Sequence, residues 1–108
     1  MRSMTNSQNM SADILNYIGL AARARKVATG ETALKAIQSK KASFVIIASD
    51  ASDNTKKKFS DKCKFYDVDY VIWNSADALS HAIGKNNRMV IAILDRGFAQ
   101  KLKEKLGG

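Results

Sequence analysis

Two hydrophobic periods alternate along this chain, and their alternation predicts its layout. Ile14, Leu15, Ile18 and Ala22 recur at helical spacing, with Ser11 suited to an N-cap and Asp13 to the first turn. That helix should run to about Arg25. Residues 26–29 then read as a short strand, and Thr29 or Gly30 opens a second helix with Ala33, Leu34 and Ile37 as its buried stripe. Ser39, Lys40 and Lys41 end this helix on a basic note. "SFVIIAS", residues 43–49, is apolar throughout, as expected of a strand covered on both faces. A third helix, capped by Ser52 or Asp53, carries Phe59, Cys63 and Tyr66 on one face. "VDYVIW", residues 68–73, is a strand, and Ser75 caps a fourth helix bearing Ala78, Leu79, Ala82 and Ile83, with Gly84 at its C′ position. "RMVIAIL", residues 88–94, is the most apolar strand, and Asp95 caps a fifth helix with Phe98, Ala99, Leu102 and Leu106 turned inward.

The order αβαβαβαβα predicts the α/β class: a three-layer α/β/α sandwich around a central mixed four-stranded sheet. Residues 1–10, MRSMTNSQNM, lack an apolar stretch and read as a disordered polar tail or an extraneous remnant, which leaves residues 11–108 as a single domain. In an open α/β sheet, ligands gather where strand ends feed helix N-termini. The segments expected at that edge are Thr29-Gly30-Glu31, Ser49-Asp50-Ala51, Asn74-Ser75 and Asp95-Arg96-Gly97.

Charge narrows the choice of partner. The 108 residues carry a formal net charge of +8, with a pI near 9.8. For a small domain that is a substantial positive field, and phosphate is its commonest biological counterpart. Apolar residues make up 45%, enough for a core without staples. No apolar run reaches the roughly 18 residues of a membrane span, and a single cysteine suits a cytoplasmic setting. A monomer with no membrane association is the expectation.

Enzymatic chemistry is poorly represented. His81 has no cysteine or carboxylate at ligand spacing and reads as a partly exposed helix residue, so no metal site is expected. Lys62 and Lys64 would lower the pKa of Cys63, but its place on the stripe with Phe59 and Tyr66 favours core packing. Trp73 could stack on a base, and packing is again the better reading. Neither a phosphate loop nor a dinucleotide fingerprint is present, so no nucleotide cofactor is expected. Lys56, Lys57, Lys58, Lys62 and Lys64 span more than one face of the third helix and read by default as a solvated surface. "RARKVATGETALK", residues 23–35, differs: Arg25, Lys26 and Lys35 flank a helix N-terminus that also carries a glycine.

The stretches "IGLAARARKVATGE", "VIIASDASDNTKKK", "DKCKFYDVDYV", "AIGKNNRMVIAI" and "DRGFAQKLKEKL" resemble, in order, the bacterial YlxQ-like branch of the ribosomal L-seven-Ae protein family, the small kink-turn RNA binders. The resemblance runs from Ile14 to Leu106. It implies the same sandwich, no enzymatic activity, and an RNA site at the second helix N-terminus and the loop before the last strand. Archaeal relatives carry G-x-N-E-x-x-K at that helix start, whereas this chain has G-E-T-A-L-K, one residue shorter. Aligned from Lys35, Glu31 takes the Asn place and Thr32 the Glu place; aligned from Gly30, Glu31 falls on an unspecified position. Neither alignment reproduces the Asn–Glu pair, and a carboxylate accepts hydrogen bonds from base amino groups without donating as Asn does. Asp50 matches an acidic position after the second strand of relatives. The other contact loop corresponds to Gly84, Lys85, Asn86, Asn87 and Arg88, basic and amide-rich here where high-affinity relatives are apolar.

The resulting expectation is an RNA-binding protein of ribosomal type, ribosome-associated, recognising folded RNA with a kink-turn-like bend, ribosomal RNA included. Arg25, Lys26, Lys35, Lys85 and Arg88 would neutralise phosphates, while Gly30, Glu31 and Thr32 would face base edges, with Asp50, Asn86 and Asn87 beside them. The alternative is a protein-interaction adaptor that uses the lysine-rich third helix.

Overall fold

A computed structural model describes residues 2–107, with side chains from Ser11 onward. The described residues form α1 (Arg2–Arg23), β1 (Val27–Thr29), α2 (Gly30–Gln38), β2 (Phe44–Ile47), α3 (Asp53–Phe65), β3 (Asp69–Ile72), α4 (Ala76–Ala82), β4 (Val90–Ile93) and α5 (Arg96–Lys105). The first helix begins at Arg2, so Ser11, expected as its cap, lies inside it. No proline or glycine between residues 2 and 10 interrupts helical propagation. Met1 lies outside the described residues.

The sheet order is β1-β4-β2-β3. β2 and β3 are parallel, while β4 runs antiparallel to both β1 and β2. β2 and β4 are buried along their whole lengths, as their uninterrupted apolar runs require of central strands. β1 and β3 form the edges. α2 and α3 pack together on the sheet, and α1 packs against α4 and α5, giving two helical layers around a central sheet. Ile18, Ile37, Ile46, Leu79, Ile91 and Leu102 are fully buried in the joint core. At Gly19 a Cβ would stand 2.9 Å from the Ala82 carbonyl oxygen, so the absent side chain sets how closely α1 and α4 approach.

The antiparallel insertion of β4 determines which loops meet. The C-terminal ends of β1, β2 and β3 share one edge of the sheet with the N-terminal end of β4. Thr29-Gly30-Glu31, Ser49-Asp50 and Asn74-Ser75 therefore converge there, as expected. Asp95-Arg96-Gly97 does not, because it follows the C-terminal end of β4 and lies at the opposite edge.

Candidate nucleic-acid interface

The start of α2 differs from the starts of the three helices that follow it. Ser52, Ser75 and Asp95 cap α3, α4 and α5 by accepting from the backbone N–H of Thr55, Ala78 and Phe98. Thr29, the corresponding residue of α2, is extended and makes no side-chain cap bond. Gly30 follows at φ +57°, in the left-handed region that glycine enters without a Cβ penalty. A Cβ there would meet no atom within 4 Å, so the backbone, not crowding, demands the glycine. Gly30, Glu31 and Thr32 are exposed, and the uncapped first-turn N–H groups carry the positive end of the helix dipole. Glu31 offsets part of that field, and exposed Lys35 sits one turn further along.

The loop before β4 stands beside this helix start. Thr29 pairs with Ile91, which sets Gly30 next to the strand entry at Met89 and Arg88. A Schellman motif ends α4: the Gly84 N–H donates to the His81 carbonyl at 3.0 Å and the Lys85 N–H to the Ser80 carbonyl at 2.8 Å, with Gly84 at φ +71°. The loop is pinned by Ser80, only 3% exposed. Its Oγ accepts from the Arg88 N–H at 2.8 Å and donates to the Arg88 carbonyl at 3.1 Å. The Arg88 guanidinium donates to the Asn86 carbonyl at 2.7 Å, and Asn87 sits at φ +55°. Lys85, Asn86 and Asn87 are exposed. Pattern reading missed Ser80. Its one signal was a small polar residue next to Leu79 in an apolar stripe, and such a residue does not announce its partner.

The remaining expected residues divide. The Asp50 Oδ1 accepts from the Ala76 N–H at 2.8 Å, so this carboxylate ties the end of β2 to the start of α4, with its side chain otherwise exposed at the edge. Arg25 and Lys26 do not join the edge. Arg25 is the left-handed residue ending α1, at φ +61°, and the Lys26 carbonyl accepts from the Leu94 N–H at the far end of β1. The three strand residues in between put Lys26 roughly 13 Å from Gly30, with Arg25 further still. The structure thus brings together Gly30, Glu31, Thr32, Asp50, Lys85, Asn86, Asn87 and Arg88, with Lys35 one helical turn away. Met89, 39% exposed at the same strand entry, adds an apolar surface that sequence reading assigned to the strand.

The other candidates fall to packing. Cys63 is fully buried, and burial pushes its thiol up to about 11, overriding any help from Lys62 and Lys64. Trp73 is half-buried against the core and His81 is exposed on α4. Among the described residues no cluster of three His, Cys, Asp or Glu side chains could hold a metal, and no helix is long and apolar enough to cross a membrane.

Known proteins resemble the chain over most of its length. It is 48% identical over 86 residues to the RNA-binding protein YlxQ of Bacillus subtilis, spanning 79% of this chain and 86% of the relative. The RNA-binding protein YlxQ of Enterococcus faecium is 46% identical over 95 residues, spanning 87% and 91%. Both names agree with a non-enzymatic protein. A Bacillus halodurans structure of unknown function superposes with TM-score 0.84 at 42% identity, covering 88% of this chain and 97% of that one. The 15.5kD RNA binding protein of Giardia lamblia superposes with TM-score 0.75 at 28% identity, covering 92% and 86%. The sequence profile of the ribosomal protein L7Ae/L30e/S12e/Gadd45 family matches residues 12–103, and the chain belongs to that family.

Proposed function

We propose that this protein binds folded RNA with a kink-turn-like bend, in the cytoplasm and in association with the ribosome. The observation that carries the reading is the uncapped N-terminus of α2 beside the pinned loop 84–88. Uncapped N–H groups at a helix start are directional donors in a positive field, which suits phosphate oxygens and base acceptors. The relatives named as RNA-binding proteins support the same reading.

The roles follow from donor and acceptor chemistry. Backbone N–H groups of residues 30–32 would donate to RNA acceptors. The Glu31 carboxylate would accept from base amino groups, and the Thr32 hydroxyl can do either. Lys35, Lys85 and Arg88 would neutralise backbone phosphates, with Arg88 held by its bond to the Asn86 carbonyl. Neither cofactor nor metal is needed for this binding. Lacking an Asn–Glu reading pair, the site relies on shape and charge more than on base identity, so its affinity should fall steeply with salt.

The test is a titration with a kink-turn hairpin and its straightened control. Tighter binding to the bent RNA is expected. The Lys35→Met/Arg88→Met double variant should bind both more weakly, with a salt slope lower by about one per residue. Equal binding to bent and straight RNA would refute bend recognition. An unchanged slope in the double variant would refute the surface.

A further inference from the structure

α2 and α3 pack side by side and begin at the same edge of the sheet. α3 carries five lysines whose surroundings differ along its length. Lys57 is neutralised on its own helix by Asp61, at 3.0 Å. The Lys56 Nζ donates to the Ser49 carbonyl at 3.0 Å, which lays the ammonium on the end of β2. That carbonyl sits on a fixed platform, because both the N–H and the Oγ of Ser49 donate to the Asn74 carbonyl at 2.8 Å. A carbonyl takes one of the three ammonium protons and none of its charge, so Lys56 keeps two donors and a full positive charge. Its side chain is also held in place before any ligand arrives, which reduces the rotamer entropy lost on binding. Lys58 is exposed and has no carboxylate partner among the described residues.

The far end of the helix is different. Lys64 lies about 12 Å further along the axis than Lys56, at 1.5 Å per residue. It shares a cavity wall with Asp67, Asp69 and Lys103; Asp69 is already paired with Lys103 at 2.7 Å, which leaves Asp67 to weaken the Lys64 field. At the near end, Asp50 is turned onto the Ala76 N–H, and Asp53 lies in the first turn of α3. Gly30 follows β1 and Ser49 follows β2, and β4 alone lies between those strands, two strand spacings or roughly 10 Å.

We propose that Lys56 and Lys58 hold RNA backbone phosphates, so that the RNA-binding surface crosses the sheet edge from the start of α2 to the start of α3. This rests on the RNA-binding reading above. An acidic protein lying along α3 would use Lys62 and Lys64 as much as Lys56. An RNA strand crossing the edge touches the near end alone.

The experiment measures affinity for the kink-turn hairpin across a salt series. Lys56→Met and Lys58→Met should each lower the slope by about 0.7–0.9 and weaken binding about fivefold at 0.15 M salt. Lys56→Arg should retain affinity, and Asp53→Asn should tighten it. The Lys62→Met/Lys64→Met double variant should bind within about twofold of wild type. Thermal melts of each variant separate lost binding from lost folding, and Lys58, which makes no hydrogen bond or ion pair among the described residues and only lies 5.9 Å from the centre of the Phe59 ring, serves as the second probe. Unchanged slopes for Lys56→Met and Lys58→Met, with the wild type still binding, would overturn this inference alone. So would an equal loss from the far-end pair, which would favour diffuse charge or a protein partner. Absence of binding by the wild type would overturn the RNA reading and this extension with it.

Discussion

Ser80→Ala tests whether the loop beside the α2 start is held by one buried hydroxyl. The substitution removes a single oxygen from a side chain that is 3% exposed, so almost no cavity is created. Two hydrogen bonds are lost, one at 2.8 Å from the Arg88 N–H and one at 3.1 Å to its carbonyl. Each is worth about 0.5–1.5 kcal/mol net, giving a loss of about 1–3 kcal/mol. Arg88 is half-exposed, so water can reach its freed backbone groups and the lower half of that range is favoured. For a domain near 100 residues, about 1 kcal/mol shifts Tm by roughly 4–8 °C, so a fall of about 5–12 °C is expected by circular dichroism. Hydrogen exchange at the Arg88 amide should accelerate, and RNA affinity should drop although Ser80 is buried beneath the proposed surface. A Tm within about 2 °C of wild type, together with unchanged protection at Arg88, would refute the reasoning.

Four other outcomes follow from the same geometry. Gly30→Ala puts a Cβ into open space at φ +57°, so it should destabilise by about 1 kcal/mol through backbone strain alone, read as a lower denaturant midpoint. Gly19→Ala trades a helix-propensity gain of about 1 kcal/mol against a 2.9 Å clash with the Ala82 carbonyl oxygen, and the clash should win, giving a net loss of about 1–2 kcal/mol in urea unfolding. Asp67→Gly should raise stability by about 0.5–1 kcal/mol in the same assay, because Asp67 ends α3 at φ +59°. Burial raises the Cys63 thiol from 9.0 to about 11, so the folded state resists forming the thiolate. Its stabilising contribution is complete below pH 9 and is lost as pH rises through 11, by up to about 3 kcal/mol. Wild type should therefore lose more stability than Cys63→Ala between those pH values, and native Cys63 should resist a thiol reagent at pH 8.

Reading the chain residue by residue went furthest where the physics is local. The caps Ser75 and Asp95, the α3 cap to within Ser52 or Asp53, the C′ glycine at position 84, and the two fully buried strands are all visible in the pattern, because each depends on neighbours within a few residues. The α2 start was legible for the same reason: a glycine directly before an amphipathic stripe. Arg25 and Lys26 are close to Gly30 in sequence, but an extended strand carries them to the other end of the sheet.

By itself, then, the sequence determined the nine elements, the class of fold, the strong positive charge and the glycine at the α2 start. Each follows from periodicity, capping or composition, all of which act over short spans of chain. Strand pairing acts between distant segments, and there only the tertiary structure decided. It inserted β4 antiparallel between β1 and β2, which moved Asp95-Arg96-Gly97 to the opposite edge and set Arg88 beside Gly30. It also gave Asp50 to the Ala76 N–H, Ser80 to Arg88 and Lys56 to Ser49. A hydrogen bond is chosen by distance and direction in space, and neither is encoded in the spacing of residues along the chain.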